Sequence, residues 1–464
     1  MDTSYVILDD GKRLNFSELL DMVPCTILAT PEFVSICEAA SNFRGFDNEN
    51  HRKIYVNLLI KHSKFIAQIT ALHFLQSNKV LNVSKVFSDK LLTPFSHFLN
   101  NIELSSLEKP SLEYIDKRHK FTFLLKSIAH RLYRLFSSST IPNKDTTIRS
   151  WVEISESMFE DSYPNSNILI YPFSLNFSRH IRYIKSVKRR YSSVFFMGLP
   201  YKILPAIKNF FSPTDNFYVD HEFRAYSMHA HEIIRFTNKF LKTSDEFEAA
   251  SFVMCEILKN DDIRVENKAH GISFACPYTS YSDFLVYNLA QKSYYERSSN
   301  RTLFNVVERR NAPRTDSIDA SLSFSPALVV IHNPYLRVGL SFENNLQDKI
   351  FNLLSEYSRD YGIPLYIKKH PNSIASDISY LDQWQEAVKI YSLSELRHSN
   401  PIFINISSVS YYDFKQYGPF IFVDDGIVPI KVMFGPDVIS VSLSQLSDVL
   451  GKYLVADAWT ELKQ

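Results

Sequence analysis

The chain is poor in glycine, with 10 in 464 residues, and contains neither GxGxxG nor GxxxxGKS/T. A Gly-rich phosphate cradle is thereby excluded. Any phosphate must be met by helix N-termini, hydroxyls and a few cationic side chains. Cysteine is scarce as well: Cys25, Cys37, Cys255 and Cys276 are scattered and show no CxxC spacing. That argues against a zinc ribbon or a disulfide framework and fits a reducing compartment. Excess charge is absent, since 51 Lys and Arg against 50 Asp and Glu leave a net +1. A global basic field is ruled out, and no nucleic-acid partner is expected. No uncharged apolar run approaches the roughly 18 residues that span a bilayer, and the N-terminus lacks the pattern of a signal peptide. The expected location is the cytoplasm.

What is present has the balance of a globular protein, with 45% hydrophobic, 22% charged and 14% aromatic residues. A chain of 464 residues exceeds one ordinary core, so two or three domains are expected. Residues 1–150 read as mainly helical. A short strand at Tyr5–Leu8 turns at Asp10–Gly11, and Ile54–Leu75 has the spacing of an amphipathic helix. Phe121–Phe136 is a basic amphipathic helix, which fits either packing on its own domain or lying on an anionic membrane surface. Ser137–Pro142 reads as a linker.

Beyond it, strands and helices alternate. Strands are expected at Asn167–Tyr171, Ser193–Met197, Asn216–Val219, Ile272–Ala275 and Asp283–Tyr287, with helices up to Arg190, at Tyr201–Phe211 and at Ser244–Lys259. A second alternation follows the polar stretch Arg309–Ser325. Its strands are Leu328–His332, Leu365–Ile367, Val388–Tyr391, Ile402–Ile404 and Phe420–Val423, with a helix at Asn345–Tyr361. The expected fold class is α/β, with Rossmann-like domains at residues 151–315 and 316–464 facing across a cleft. Ligands of such sheets bind at the carboxyl ends of the strands.

Three groups fall at those ends. Lys368, Lys369, His370 and Pro371 follow a strand; two cations and an imidazole there can neutralise a phosphate, although a solvated basic strand end has the same composition. Ser407, Ser408 and Ser410, in the stretch Asn405–Ser410, resemble a helix cap with free backbone N–H groups, and ordinary capping also explains them. His270, before Gly271, is suited to proton transfer, or is a structural histidine in a turn. Asp220 and Glu222, read as lying just past the strand Asn216–Val219, are the candidate carboxylates. His229 and His231 are two apart and cannot share one helix face, so no metal site is expected.

The strand–KKHP pattern, then NISSVSYYDF, then FIFVDDG, together with the upstream AHGISFACPY and SDFLVYNLAQKSYYE, resembles a group of bacterial surface-polymer transferases of the two-Rossmann (GT-B) kind. These are the capsular polysialyltransferases, the capsule Kdo transferases and the CDP-glycerol glycerophosphotransferases. The likeness covers about residues 265–430. It departs from the sialyltransferases in placing Asp424–Asp425–Gly426 downstream of His-Pro. It departs from the glycerophosphotransferases in having Asn405–Ile406 before the Ser pair and Ala269 before His-Gly. The resemblance implies a cytidine nucleotide around His370 and the Ser pair. It implies transfer of a Kdo or sialic-acid type sugar from a CMP donor to a glycan or lipid-linked acceptor, in capsule, O-antigen or lipopolysaccharide synthesis, without a cofactor. In that reading His370 and the lysines stabilise the leaving phosphate, and His270 or Asp220 serves as base. Peripheral contact with the inner membrane would suit a lipid-linked acceptor. A CDP-glycerol or CDP-ribitol phosphotransferase and a non-catalytic scaffold of an export complex are the competing readings.

Overall fold

The computed structural model describes residues 4–23, 30–135, 141–151, 160–171, 177–211, 214–245, 248–269, 277–298, 305–308, 323–332, 343–369, 381–406, 410–424 and 430–454. Contacts divide the chain into two units: Met1–Phe16, Pro31–His270 and Phe274–Arg310 form one, and Ser17–Thr30, Gly271–Ser273 and Asn311–Gln464 the other.

The N-terminal part of the first unit is mainly helical, with helices Pro31–Arg44, Glu49–His62, Lys64–Ser77 and Lys117–Leu135. A small sheet accompanies them, in the order β2-β1-β3-β4, from β1 (Tyr5–Leu8), β2 (Arg13–Asn15), β3 (Val83–Lys90) and β4 (Glu103–Ser111). Gly11 turns the β1–β2 hairpin at φ +82°, a conformation that costs glycine nothing. The single helix expected over Ile54–Leu75 is two. Ser63 ends the first by donating its N–H to the Leu59 carbonyl and caps the second by accepting from the Ile66 N–H at 3.2 Å. Helix Lys117–Leu135 turns Phe123, Ala129, His130 and Tyr133 inward.

Seven parallel strands follow: β5 (Lys144–Trp151), β6 (Asn167–Tyr171), β7 (Val194–Phe196), β8 (Thr237–Thr243), β9 (Arg264–Lys268), β10 (Asp283–Val286) and β11 (Asn305–Glu308). Their order is β11-β10-β9-β8-β5-β6-β7. The chain starts in the middle, steps out to β7, then returns past β5 to β8 and runs the other way. This is the doubly wound 3-2-1-4-5-6 order with one strand added. The division expected at residue 150 passes through β5. Asn216–Val219 is not a strand. It belongs to helix Asp215–Ile234, in which Asp215, Tyr218, Val219, His221, Glu222, Ala225, Tyr226, His229, Ala230 and Ile233 are buried. That spacing of threes and fours over five turns outweighs a short apolar run that alone would suit a strand. Ile272–Ala275 lies outside the described residues.

The second unit repeats the plan with β12 (Ser323–Ile331), β13 (Leu365–Lys368), β14 (Val388–Ile390), β15 (His398–Asn405), β16 (Phe420–Val423) and β17 (Ile439–Val441). All pairings are parallel, and the order β14-β13-β12-β15-β16-β17 is again 3-2-1-4-5-6. Leu328, Val330, Ile367, Ile402, Ile404 and Ile421 pack against Ile350, Phe351 and Leu354 of helix Glu343–Tyr361. The α/β class with two Rossmann-type sheets is therefore the one expected from the sequence. Strands β2, β3, β4, β5, β8, β9, β11 and β17 were not foreseen.

Two predictions follow from this packing. Burial pushes the imidazoles of His62, His130 and His229 down, and holds that of His221 at about 4. The unfolded chain protonates such groups near pH 6.5, where the folded chain does not, so it binds more protons between these limits. The contribution is whole above pH 6.5 and is lost as pH falls toward 4; melting temperatures measured from pH 7.5 to 4.5 should drop through that window. Separately, a Cβ on Gly198 would run into the backbone carbonyl of His130. Gly198→Ala should destabilise by about 1–3 kcal/mol in a denaturant titration.

Candidate functional site

In a doubly wound sheet the crevice opens where the strand order reverses, outside the carboxyl ends of the two central strands. In the second unit those strands are β12 and β15. A pocket lies there, lined by Val330 and Ile331 from β12, Gln347, Ile350 and Phe351 from helix Glu343–Tyr361, and Asn405 and Ile406 at the end of β15. Its volume is about 240 Å³ with open solvent space included. Asn405 donates from Nδ2 to the Ile331 carbonyl at 2.6 Å, which ties the two strand ends together. His332, directly after β12, is buried, and its N–H reaches the Lys368 carbonyl at 3.0 Å. The sequence reading treated it only as the end of a strand. An imidazole at the carboxyl end of the first strand of such a sheet was the signal that could have singled it out.

Lys368 closes β13 and Lys369 follows it, one on each face of the strand. Both are buried, which does not suit the alternative of a solvated basic strand end. Lys368 Nζ donates to the Tyr391 carbonyl at 3.2 Å and lies 5.5 Å from the Phe414 ring centre. Lys369 Nζ sits 4.7 Å from the centre of the Tyr391 ring. Cation–π contact offsets part of the cost of burying an ammonium. Ser410 opens the short helix Ser410–Phe414 after β15. His370, Pro371, Ser407, Ser408 and His270 lie outside the described residues.

Asp220 is displaced from its expected place. It lies inside helix Asp215–Ile234, half exposed, 3.4 Å from His51 Nδ1. Glu222, two residues on, is buried and accepts from Tyr201 Oη at 3.0 Å. His229 is buried and His231 exposed, as their spacing requires. Among the described residues no three His, Cys, Asp or Glu side chains converge in a way that would hold a metal ion.

The carboxylates at the carboxyl edge of the seven-stranded sheet are Asp245 and Glu248, just past β8, and both escaped the sequence reading. They clasp Arg149 of β5, whose side chain is fully buried: Nη1 donates to Asp245 Oδ2 at 2.7 Å and Nη2 to Glu248 Oε2 at 2.9 Å. Tyr171, the last residue of β6, lies under the guanidinium at 4.0 Å and donates to Glu248 Oε1 at 2.6 Å. Tyr226 donates to the other Glu248 oxygen, and Tyr281 to Asp245 Oδ1 at 2.9 Å. Burial alone would raise the Glu248 carboxyl, but Arg149, then Lys126 and the two phenols, bring it down to about 2. Thr243 and Ser244, at the end of β8, are also buried, and their hydroxyls find no hydrogen-bond partner among the described residues. The ring of charge therefore fixes β5, β6 and β8 at their point of reversal.

No protein-family model matches the chain, and no curated protein matches it in sequence. Among solved structures, UDP-GlcNAc 2-epimerase from Neisseria meningitidis bound to UDP-GlcNAc aligns with 68% of this chain and 92% of its own, at 7% identity and a TM-score of 0.39. A likeness so distant has no bearing on chemistry.

Removing the cation from this ring would strand two buried carboxylates. Arg149→Met should cost about 3–5 kcal/mol, and Arg149→Lys should not restore it, because an ammonium cannot reproduce the forked geometry. Equilibrium unfolding of both variants is the check.

Proposed function

We propose that the chain is a nucleotide-dependent glycosyltransferase whose second unit binds the donor, a CMP-linked sugar, at the carboxyl ends of β12, β13 and β15. The observation that carries this reading is the coincidence of three features at one strand edge. The sheet has the 3-2-1-4-5-6 order, a small, mostly apolar depression lies at its point of reversal, and two buried lysines end the neighbouring strand. No carboxylate among the described residues stands within 4.0 Å of Lys369 Nζ. A buried ammonium whose described neighbours are a phenol and a ring face is suited to an anionic ligand.

In this reading the base lies against the strand ends at Ile331 and Ile406, where Gln347 and Asn405 offer polar contacts. Lys368, Lys369 and His370 oppose the phosphate charge, and the hydroxyls of Ser407, Ser408 and Ser410 orient it. The acceptor hydroxyl attacks the anomeric carbon of the sugar. The bond from that carbon to the phosphate oxygen breaks, and CMP departs with the electron pair. The proton of the acceptor passes to His270. Stabilising the departing charge counts most where water is excluded. Asp220 is not retained as the base, since it lies on a helix beside His51 and not at a strand end. The cytidine and the sugar class rest on the motif resemblance, and the acceptor is a glycan.

Melting the purified protein with CMP, CDP, UDP and GDP tests this. A ligand that binds only the folded state raises the melting temperature by mass action. CMP or CDP alone should stabilise, by about 2.7 kcal/mol at a hundredfold excess over Kd, and Lys369→Ala and Ser408→Ala should remove the response. Stabilisation by UDP or GDP instead would transfer the enzyme to another donor class. Silence toward all four would overturn the assignment and favour a scaffold.

A further inference from the structure

Helix Ile203–Phe211 is inside out. Its inward residues are Ala206 and the polar Asn209, whereas Leu204 and Phe211 are each 80% exposed and Ile207 and Phe210 each 38%. Leu204, Ile207 and Phe211 recur at three and four residues, so the exposed positions form one stripe. Phe121 of helix Lys117–Leu135 extends it, 52% exposed, with its ring 6.2 Å from Phe210. The helix is firmly held from behind. Asn209 Oδ1 accepts from the Thr214 N–H at 3.0 Å, and Tyr201, just before the helix, is tied to Glu222. An apolar stripe on a soluble helix normally faces the core; here it faces away from it.

The sequence segments that carry the stripe hold charge of one sign. No Asp or Glu occurs from residue 162 to 214 or from 117 to 144, in a chain whose acids and bases otherwise balance. Lys202 and Lys208 are exposed on either side of the stripe. Helix Phe177–Arg190 adds Arg182, Lys185, Lys188, Arg189 and Arg190, all exposed, while Tyr183, Ile184 and Val187 pack inward. The two basic helices meet at edge strand β7, where Phe196 stacks on Tyr133 at 5.7 Å and Lys188 Nζ lies 5.8 Å from the Phe196 ring.

We infer that this face docks on an anionic lipid bilayer, with Leu204, Ile207, Phe210, Phe211 and Phe121 entering the acyl boundary and the surrounding lysines and arginines on the headgroups. A nine-residue helix is about 14 Å long and offers far less than the ~800 Å² that each partner buries in a stable protein interface. A short apolar ridge in a basic field is instead the composition of an interfacial helix. The inference is independent of the nucleotide site and holds whatever the donor.

Flotation of the full chain with vesicles tests it, using phosphatidylcholine alone and phosphatidylcholine with a third of phosphatidylglycerol. The protein should float with the anionic vesicles and be released several-fold by about 0.5 M NaCl, which shortens the Debye length. Leu204→Ser with Phe211→Ser should lower the bound fraction more than tenfold, and Lys202→Ser with Lys208→Ser several-fold on anionic vesicles only. All four side chains are exposed, so the melting temperatures should not change, and Leu289→Ser, exposed elsewhere, should bind as the parent does. Failure to float with either vesicle, or undiminished flotation of the Leu204→Ser/Phe211→Ser variant, would overturn the proposal. So would self-association abolished by that variant without any vesicle binding, which would make the face a contact between copies.

Discussion

The first unit depends on one buried cation. Arg149 is placed on the central strand, without access to water, and is neutralised by two carboxylates that arrive from beyond β8. Desolvating three charges is expensive, and the cost is offset only because nearly every donor and acceptor in the group is met by a phenol, a histidine or a partner charge. The arrangement is unforgiving, since it forms only when β5, β6, β8 and helix Asp215–Ile234 are all in register. It therefore fixes the strand reversal in the way that apolar packing fixes the corresponding reversal of the second sheet, where Leu328, Val330, Ile402 and Ile404 occupy the centre.

This difference explains how much of the fold was legible. The second sheet reads plainly because its central strands are continuous apolar runs, LVVI and IFI, each with a proline (Pro326, Pro401) just upstream. The first sheet hides its centre. β5 (KDTTIRSW), β8 (TNKFLKT) and β9 (RVENK) look like polar surface, yet Thr147, Arg149, Thr243 and Asn267 are all buried. Their polar side chains satisfy one another across strands far apart in sequence, a relation that no local window contains. The opposite error occurred at Asn216–Val219, where four residues resembled a strand and a twenty-residue helical period decided otherwise.

The candidate site was legible in part and for similar reasons. Lys368, Lys369 and Ser410 were singled out by their position after apolar strands; Lys368 closes β13, Lys369 follows it and Ser410 opens helix Ser410–Phe414. The burial of the two lysines was not foreseen, because Tyr391 and Phe414, which cover them, follow other strands. Asp245, Glu248 and His332 were missed: the carboxylates follow a strand that did not look like one, and the imidazole ends one that did. His270, His370, Ser407 and Ser408 rest on sequence. The two sheets thus present different chemistries at their reversals, a charged and internally satisfied ring in the first unit and a small, mostly apolar pocket beside buried lysines in the second.

The central claim is that a cytidine nucleotide sits at the reversal of the second sheet, and hydrogen exchange with and without CMP tests it most directly. The account predicts slowed exchange at the carboxyl ends of β12, β13 and β15, around residues 331–332, 368–370 and 405–410, with little change in the first sheet. Protection confined to the ends of β5 and β8, or none anywhere at saturating CMP, would contradict it.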